Sequence, residues 1–491
     1  MSSSVRSSIS EFAISLDESV AFARLSGDFN PLHVDPAHAR RTQFGQTVVH
    51  GIHAILKAVD GLEGVMSFEG FELMAIACTF TSPIPTDATV RIEASRDLTT
   101  GRLRIFGKVD GRSAFSVAMD LRSRLAVPAG SLTAADFEPA LPQVHTLPKV
   151  EQEGAVRIQL GGARIRNLFP RLARTGDLDW IANLVATTRI VGMECPGMHS
   201  IFSGLKLRRS ENSVERMSEW MRYRVEKSDP RFRMLRLSVS GGTFEGSIEA
   251  FLRPPPVDQM LLADVMVKVP IGTFGGQCAL VVGGSRGLGE LTAKILIAGG
   301  ADVTITYATG GADAERIRGE AVMLGRRCAT AQLDVAVPID VASAGWLTTT
   351  GFSHIYFFAS PHISMNRAEH WNHELYERFC RVYVRGFASV AEGILAGTSV
   401  GHLPARFLFP STVFLDRPET GFAEYVAAKA AGESLCSYLG QEHRTLFARP
   451  RLPRMRTDQT SGLQNADVAE SFEVLQKVLI DFHAAHPEAS A

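Results

Sequence analysis

The sequence predicts two architectures in one chain. An α+β region built from a repeated unit of one helix and an antiparallel sheet precedes an α/β region with a doubly wound parallel sheet. Three observations predict this. A helical pattern followed by a run of alternating strands occurs twice before residue 253. The run Arg253-Pro254-Pro255-Pro256 then stiffens the chain. Beyond it, apolar strands alternate with helices, and a glycine-rich turn joins the first such strand to its helix.

The first unit covers residues 1–130. Its helix begins near His50 (HGIHAILKAVDGL), and its strands are FELMAIACTFTSPI, TVRIEASRDL, RLRIFGKVDG and RSAFSVAMDLRSRL. A Pro- and Ala-containing connector, VPAGSLTAADFEPALPQVHTLP, leads to the second unit, residues 150–253. There the helix is DLDWIANLVATTRIVGMECPG, with Asp177 as its cap, and the strands are SIFSGLKLRR, EWMRYRVEKS, RMLRLSVSG and TFEGSIEAFL. The same order met twice suggests a duplication whose two sheets pair side by side. Residues 254–275 read as a linker. Residues 276–491 open with CALVVGG, a helix to about Gly299, the strand ADVTITY and a further helix, which is the βαβ order of a parallel sheet.

Composition narrows the function classes. At 491 residues the chain is too long for one ordinary core. A hydrophobic content of 45% and a charged content of 21% are those of a soluble globular protein. The 51 Lys and Arg residues nearly cancel the 52 Asp and Glu residues, so no net field attracts nucleic acid or an anionic membrane. No apolar run is long enough to span a bilayer. The start, MSSSVRSSISEFA, lacks the apolar core of a signal peptide and reads as a short flexible lead. The cysteines (Cys78, Cys195, Cys278, Cys328, Cys380, Cys436) show no CxxC pair and no metal spacing. They read as small buried hydrophobes in a reducing cytoplasm, and no metal site is expected.

Two stretches carry chemistry. Residues 26–51, SGDFNPLHVDPAHARRTQFGQTVVHG, place Asp28, Asn30, Pro31 and His33 within six positions. Taken alone, this is a turn with a capped helix after it. The same carboxylate and imidazole, brought to one water, can also move its proton. His38, His50 and His53 have no comparable constellation, and His50 reads as a packing or capping residue. Arg40 and Arg41 could meet a phosphopantetheine phosphate, although arginines on an exposed helix are usually solvated.

In the second stretch, CALVVGGSRGLGELTAKILIAGG, Gly283, Gly287 and Gly289 lie between a buried strand and a helix. Such a turn lets a pyrophosphate reach the backbone and the free N–H groups of the helix start. The next strand, VTITYATGG, ends without an acid for a ribose hydroxyl, while Arg286 in the loop could meet a 2′-phosphate. This favours NADP(H) over NAD. Further on, AEYVAAKAAGE places Tyr425 and Lys429 on one helix face. A lysine cation beside a phenol favours the phenolate, so Tyr425 could donate a proton to a carbonyl oxygen as hydride arrives.

Residues 276–460 resemble the short-chain dehydrogenase/reductase family through the glycine loop, LDV at residues 333–335 and the Tyr-x-x-x-Lys pair. The resemblance implies a Rossmann-type fold, an NADP(H) site and a dimer or tetramer. It implies cofactor contacts by Gly283, Ser285, Arg286, Gly287, Leu288, Gly289, Asp334, Val335, Ala359 and Lys429. It also implies catalysis by Tyr425 and Lys429 with a hydroxyl from Thr412 or its neighbour Ser411. Two departures stand out. FFASPHIS, with Ala359, Ser360 and Pro361, replaces the family's Asn-Asn-Ala-Gly, and Tyr383 in RVYVRG stands where the family places a relay asparagine. The stretch RPRLPRMRTDQT also departs from the usual Pro-Gly turn.

Residues 12–124 resemble the MaoC-like, R-specific enoyl-CoA hydratases, whose fold is the hotdog, and the second unit resembles the degenerate half of a double hotdog. The motif is Asp28-Phe29-Asn30-Pro31-Leu32-His33 followed by VVHGIHA. The resemblance implies that Asp28 and His33 hold a water and move its proton, while Asn30 and Pro31 fix the turn. The Gly51 N–H would meet the enolate oxygen. The motif does not recur in the second unit, where VGMECPGMHSIFSG takes the comparable place. One hydratase site per chain is therefore expected, with the second half shaping an acyl tunnel. Together the resemblances imply a bifunctional enzyme acting on coenzyme A or acyl-carrier-protein thioesters. It would be a 2-enoyl hydratase/3-hydroxyacyl dehydratase joined to an NADP(H)-dependent 3-ketoacyl reductase. The alternative is a hydratase with a non-catalytic dinucleotide-binding or dimerising C-terminal domain.

Overall fold

The computed structural model describes residues 5–62, 70–97, 99–123, 136–147, 149–174, 178–212, 218–339, 344–366, 370–397, 405–460 and 469–485. The chain divides into two compact units, Met1–Pro255 and Pro256–Ala491.

The first unit is one ten-stranded antiparallel sheet. Its strands are β1 (Val5–Phe12), β2 (Phe71–Phe80), β3 (Val90–Asp97), β4 (Arg102–Val109), β5 (Arg112–Ser123), β6 (Glu153–Arg157), β7 (Ser200–Arg209), β8 (Trp220–Asp229), β9 (Met234–Gly241) and β10 (Phe244–Leu252). Their order is β1-β3-β4-β5-β2-β7-β10-β9-β8-β6. Read from its own outer edge, each half has the same order: first, third, fourth, fifth, second. The halves join where β2 pairs with β7, from Ala75 opposite Arg208 to Thr79 opposite Gly204. The strands alternate as a half-buried sheet must: Val90, Ile92 and Ala94 of β3 and Leu103 and Ile105 of β4 point inward. The helices of this unit include α1 (Leu16–Ser26), α2 (Pro31–Val34), α3 (Pro36–Ala39), α4 (Gly51–Leu62), α5 (Gly162–Leu168) and α6 (Asp179–Arg189), of which α4 and α6 lie against this face. Ile52, Ile55, Leu56 and Val59 of the former share one core with Ile181, Leu184 and Val185 of the latter. Each such side chain contributes about 1.5–3 kcal/mol by leaving water.

Two sequence expectations change here. The flexible lead is instead β1, which pairs with β3 from Val5 opposite Asp97 to Phe12 opposite Val90. An edge strand is held by main-chain hydrogen bonds on one side, so a serine-rich segment can serve without a full apolar face. The expected cap Asp177 lies outside the described residues, and the residue preceding α6, Leu178, supplies no capping side chain.

The second unit holds a six-stranded parallel sheet: β11 (Cys278–Val282), β12 (Asp302–Tyr307), β13 (Cys328–Gln332), β14 (His354–Phe357), β15 (Arg406–Leu408) and β17 (Phe447–Ala448), with β16 (Ser411–Thr412) and β18 (Arg451–Leu452) paired separately. The order β13-β12-β11-β14-β15-β17 reverses direction between β11 and β14. Such a reversal point, beyond the carboxyl ends of the two central strands, is where open parallel sheets generally take their ligands. Alternate residues of β11 face opposite cores: Leu280 and Val282 one, Ala279 and Val281 the other. This is the mark of a sheet covered on both faces. The segment 254–275, expected as a linker, carries the helix Leu262–Lys268. Its Leu262 and Val265, with Val269 and Phe274, are buried in the core that holds Ala279 and Val281.

Candidate active sites

Helix α1 (Leu16–Ser26) starts on a capping box between Ser15 and Glu18 and stops at Gly27, whose φ of 76° reverses the chain. The polar loop follows at once. Asn30 caps α2 (Pro31–Val34): its Oδ1 accepts from the Leu32 N–H at 3.1 Å, and Pro31 occupies the first turn. Its Nδ2 donates to the carbonyls of Gly192 (3.0 Å), Gly197 (3.1 Å) and Met198 (3.3 Å) in the second repeat. One carboxamide thus closes the turn and fastens it to the other half of the sheet.

Asp28 is buried at 1% exposure. Its Oδ1 accepts from the Asn30 N–H at 3.2 Å, and its Oδ2 accepts from the Thr188 hydroxyl of α6 at 2.7 Å. The carbonyls that hold Asn30 come partly from a π-helical turn, Ile190–Glu194, which continues α6. At Gly192 in that turn a Cβ would lie 2.1 Å from Asp28 Oδ1, so only glycine admits the carboxylate.

The His33 Nδ1 lies 2.7 Å from the Val48 carbonyl. A carbonyl only accepts, so Nδ1 carries the hydrogen and Nε2 presents its lone pair. The His50 ring stacks on His33 at 3.9 Å and 27°, and its Nε2 donates to the Asp28 carbonyl at 3.0 Å. Asp28, His33 and His50 bring a carboxylate oxygen and two ring nitrogens within 4.8 Å of one another. Rings stacked in this way cannot both aim in-plane lone pairs at one metal ion about 2.1 Å away. They can flank a water.

Burial sets the electrostatics. It raises the Asp28 carboxyl, against the opposing pull of His33, the Thr188 hydroxyl and the Asn30 amide. It lowers His33 to about 3, helped by His50, and His50 to about 4. At neutral pH both imidazoles are uncharged, so His33 is a base with a free lone pair. Gly51 begins α4, and the Phe80 ring fills the space a Cβ would need, at 2.6 Å. Phe80 of β2 meets Phe202 of β7 at 5.3 Å, so both repeats wall this region.

In the second unit the glycine loop follows β11. Gly283 and Gly287 have φ of 77° and 58°, and a Cβ on Gly283 would sit 2.7 Å from the Ala359 backbone. A Cβ on Gly289 would meet the Gly283 carbonyl at 2.2 Å. The loop is therefore bare backbone at the start of the helix Gly287–Ala298, with Ser285 and Leu288 partly exposed. The Arg286 Nε lies 3.7 Å from Asp458 Oδ2, a buried carboxylate that also accepts from the Val257 N–H at 2.7 Å. Asp334 is exposed, and its carboxylate accepts from the Ala336 N–H at 2.8 Å, a local turn bond. Val335 is buried, with its carbonyl where a Cβ of Gly386 would fall.

Tyr425 and Lys429 lie on the helix Ala423–His443. Burial raises the phenol to about 12, and the Thr412 hydroxyl opposes this by hydrogen bonding. Ser411 instead acts on Glu433, whose carboxyl is lowered first by Arg451 and also by that hydroxyl. Burial lowers Lys429 to about 7. Its Nζ donates to the Pro410 carbonyl at 2.7 Å and sits 3.8 Å over the Tyr383 ring. Tyr383 belongs to a second π-helical turn, Arg381–Gly386, and its hydroxyl meets Ser360 Oγ at 2.6 Å.

Residues 5–108 match the family model described as MaoC like domain. This stretch is a MaoC-like domain. Over 35 residues the chain is 60% identical to the (R)-specific enoyl-CoA hydratase of Aeromonas caviae, covering 7% of this chain and 26% of that protein. Over 169 residues it is 30% identical to the tetrahydroxynaphthalene reductase PfmaG of Pestalotiopsis fici, covering 33% of this chain and 58% of that protein. The chain thus spans less than two thirds of either curated relative. Among solved structures it is similar to the angucycline C-6 ketoreductase LanV with bound NADP, at 20% identity over 45% of this chain and 93% of that one, with a TM-score of 0.39. It is also similar to a short-chain dehydrogenase from Burkholderia cenocepacia in complex with NADP, at 23% identity over 44% and 95%, with a TM-score of 0.38. No helix among the described residues is long and apolar enough to cross a membrane.

Around the loop of the MaoC-like domain, the structure brings together Asp28, Asn30 and His33, and in the second unit Tyr425, Lys429 and Thr412. Sequence reasoning missed Thr188 and Gly192, and it gave His50 no part in this group. The second repeat hydrogen-bonds the carboxylate of the MaoC-like domain. Nothing in the string ATTRIVGME marks Thr188 for this. Its pairing follows from α6 packing beside the loop after α1, not from a local motif.

Proposed function

We propose that the chain is a bifunctional enzyme of acyl thioesters: a 2-enoyl hydratase/3-hydroxyacyl dehydratase joined to an NADP(H)-dependent 3-ketoacyl reductase. The grouping of the Asp28 carboxylate with the neutral His33 imidazole, within 4.8 Å in a buried loop, carries the first half. A water held between them loses a proton to His33 Nε2 as its oxygen adds to the β-carbon. Asp28, kept protonatable by burial, gives its proton to the α-carbon, and the proton taken up by His33 returns to Asp28 to complete the addition. Charge on the thioester oxygen meets the N-terminal end of α4 at Gly51, where helix N–H groups point outward. Hydration of crotonyl-CoA, followed by loss of the enoyl absorbance, tests this. Asp28→Asn and His33→Ala should each lose activity at least a hundredfold, and unchanged rates in both would sink the assignment.

The side-chain-free loop at Gly283, Gly287 and Gly289 fits a pyrophosphate, and β12 ends in Tyr307 without an acid to repel a 2′-phosphate. Loop residues 283–289 and Lys429 would hold NADP(H), which when bound supplies the hydride. Tyr425 holds the proton for the carbonyl oxygen, and Thr412 orients that phenol. One observation favours a second reading, a non-catalytic nucleotide module: the Lys429 ammonium is spent on Pro410 and the Tyr383 ring. NADPH oxidation with acetoacetyl-CoA separates the two readings. Catalysis requires turnover that Tyr425→Phe abolishes; NADPH binding without turnover supports the module.

A further inference from the structure

Beside the Asp28 loop lies a buried cation that the proposed hydration does not use. Arg253 closes β10 and is 1% exposed. Its Nη2 donates to the Met198 carbonyl at 3.0 Å, the same oxygen that accepts from Asn30 Nδ2, and lies 3.5 Å from His38 Nε2. The guanidinium is thus two hydrogen bonds from Asn30, and its charge acts on His33. Its Nε and Nη1 meet no acceptor, and neither does the nearby His199 Nδ1.

Among the described residues no carboxylate pairs with Arg253. Burial lowers its guanidinium only to about 10, so it is charged at neutral pH. His199 is lowered to about 4 by burial and then by Arg253, and His38 is lowered for the same two reasons. Neither imidazole adds charge. A lone buried cation with two unused donor nitrogens costs several kcal/mol unless an anion meets it. Guanidinium N–H groups pair bidentately with carboxylate or phosphate oxygens.

Resting on the hydratase reading, we propose that Arg253 binds a carboxylate carried by the acyl group of the substrate, within a few atoms of the reacting carbons. The substrate class is then a carboxylated 2-enoyl thioester and not a plain fatty one. The phosphates of the carrier lie at the far end of the pantetheine arm, about thirteen bonds and, with the arm extended, roughly 15 Å from the thioester, which puts them out of reach of a group beside the reacting carbons.

Titrating the full chain with butyryl-CoA and glutaryl-CoA tests this. The two share every carrier contact and differ by a terminal carboxylate. Wild type should bind glutaryl-CoA about tenfold or more tightly, and Arg253→Met should bind both equally, with butyryl-CoA affinity unchanged. Arg253→Lys should keep part of the preference. If wild type binds both equally, or if Arg253→Met weakens both alike, the proposal is overturned. Should Arg253→Met fail to fold, the relative rates of crotonyl-CoA and glutaconyl-CoA with wild type decide, with faster glutaconyl-CoA expected and equal rates overturning it. Inertness toward both enoyl substrates, with the glutaryl preference intact, would defeat the hydratase reading and spare the carboxylate site.

Discussion

The Thr188 hydroxyl of the second repeat donates to the Asp28 carboxylate of the first at 2.7 Å, across 160 positions of sequence. With His33, which opposes burial most, this bond and the Asn30 amide hold the Asp28 carboxyl down. In Thr188→Val the carboxyl should rise further. A hydrogen bond to a charged group contributes about 1.5–3 kcal/mol, so kcat for hydration should fall about tenfold or more with KM little changed. The alkaline pH limb, which requires protonated Asp28, should move upward, and Thr188→Ser should restore both. Steady-state rates between pH 5 and 9 read this.

Gly192 gives a steric test of the same neighbourhood. In Gly192→Ala the new methyl would overlap Asp28 Oδ1 at 2.1 Å and push the carboxylate off its partners. Hydration should drop at least a hundredfold, while NADPH binding, proposed for the other unit, should not change. Fluorescence titration with NADPH and the crotonyl-CoA assay on one preparation check both.

Buried imidazoles give the first unit a pH-dependent stability. His53 is fully buried against Phe22, with neither ring nitrogen partnered, and lies well below the usual histidine range, as His33 and His50 also do. The unfolded chain takes up protons below about pH 6.5 that the folded chain refuses. Stability is therefore full above that pH and is lost as pH falls toward about 4. Asp28, raised in the fold, acts in the opposite sense but is one group against three. The melting temperature should fall between pH 7 and pH 5. His53→Leu should remove one proton from the slope, up to about 1.4 kcal/mol per pH unit, without leaving a polar group unpaired.

Gly283 isolates the nucleotide loop. Alanine there would face both a φ of 77° and the Ala359 backbone at 2.7 Å. Gly283→Ala should weaken NADPH binding at least tenfold and leave crotonyl-CoA hydration unchanged.

Much of this was legible in the sequence because it is local. Alternation marked the strands, the glycine spacing marked the turn after β11, and DFNPLH carries its acid, amide and imidazole on one loop. What stayed hidden depends on contacts between distant segments. IVGME and RVYVRG read as plain helix, yet each forms a π-helical turn beside a site, where one extra residue re-aims a carbonyl or a ring. Arg253, next to three prolines, reads as the start of a linker and is buried. VRSSISEF has too few apolar residues to announce a strand, because an edge needs a partner's backbone more than a core.

The pairing of β2 with β7 has a kinetic meaning. A site that draws its carboxylate and imidazole from one repeat and its clamp from the other could be built by two separate chains, and would then dissolve on dilution. Here the two repeats are tied by a connector, so the encounter is intramolecular and its effective concentration does not depend on how much protein is present. The first unit carries its own dimer inside it.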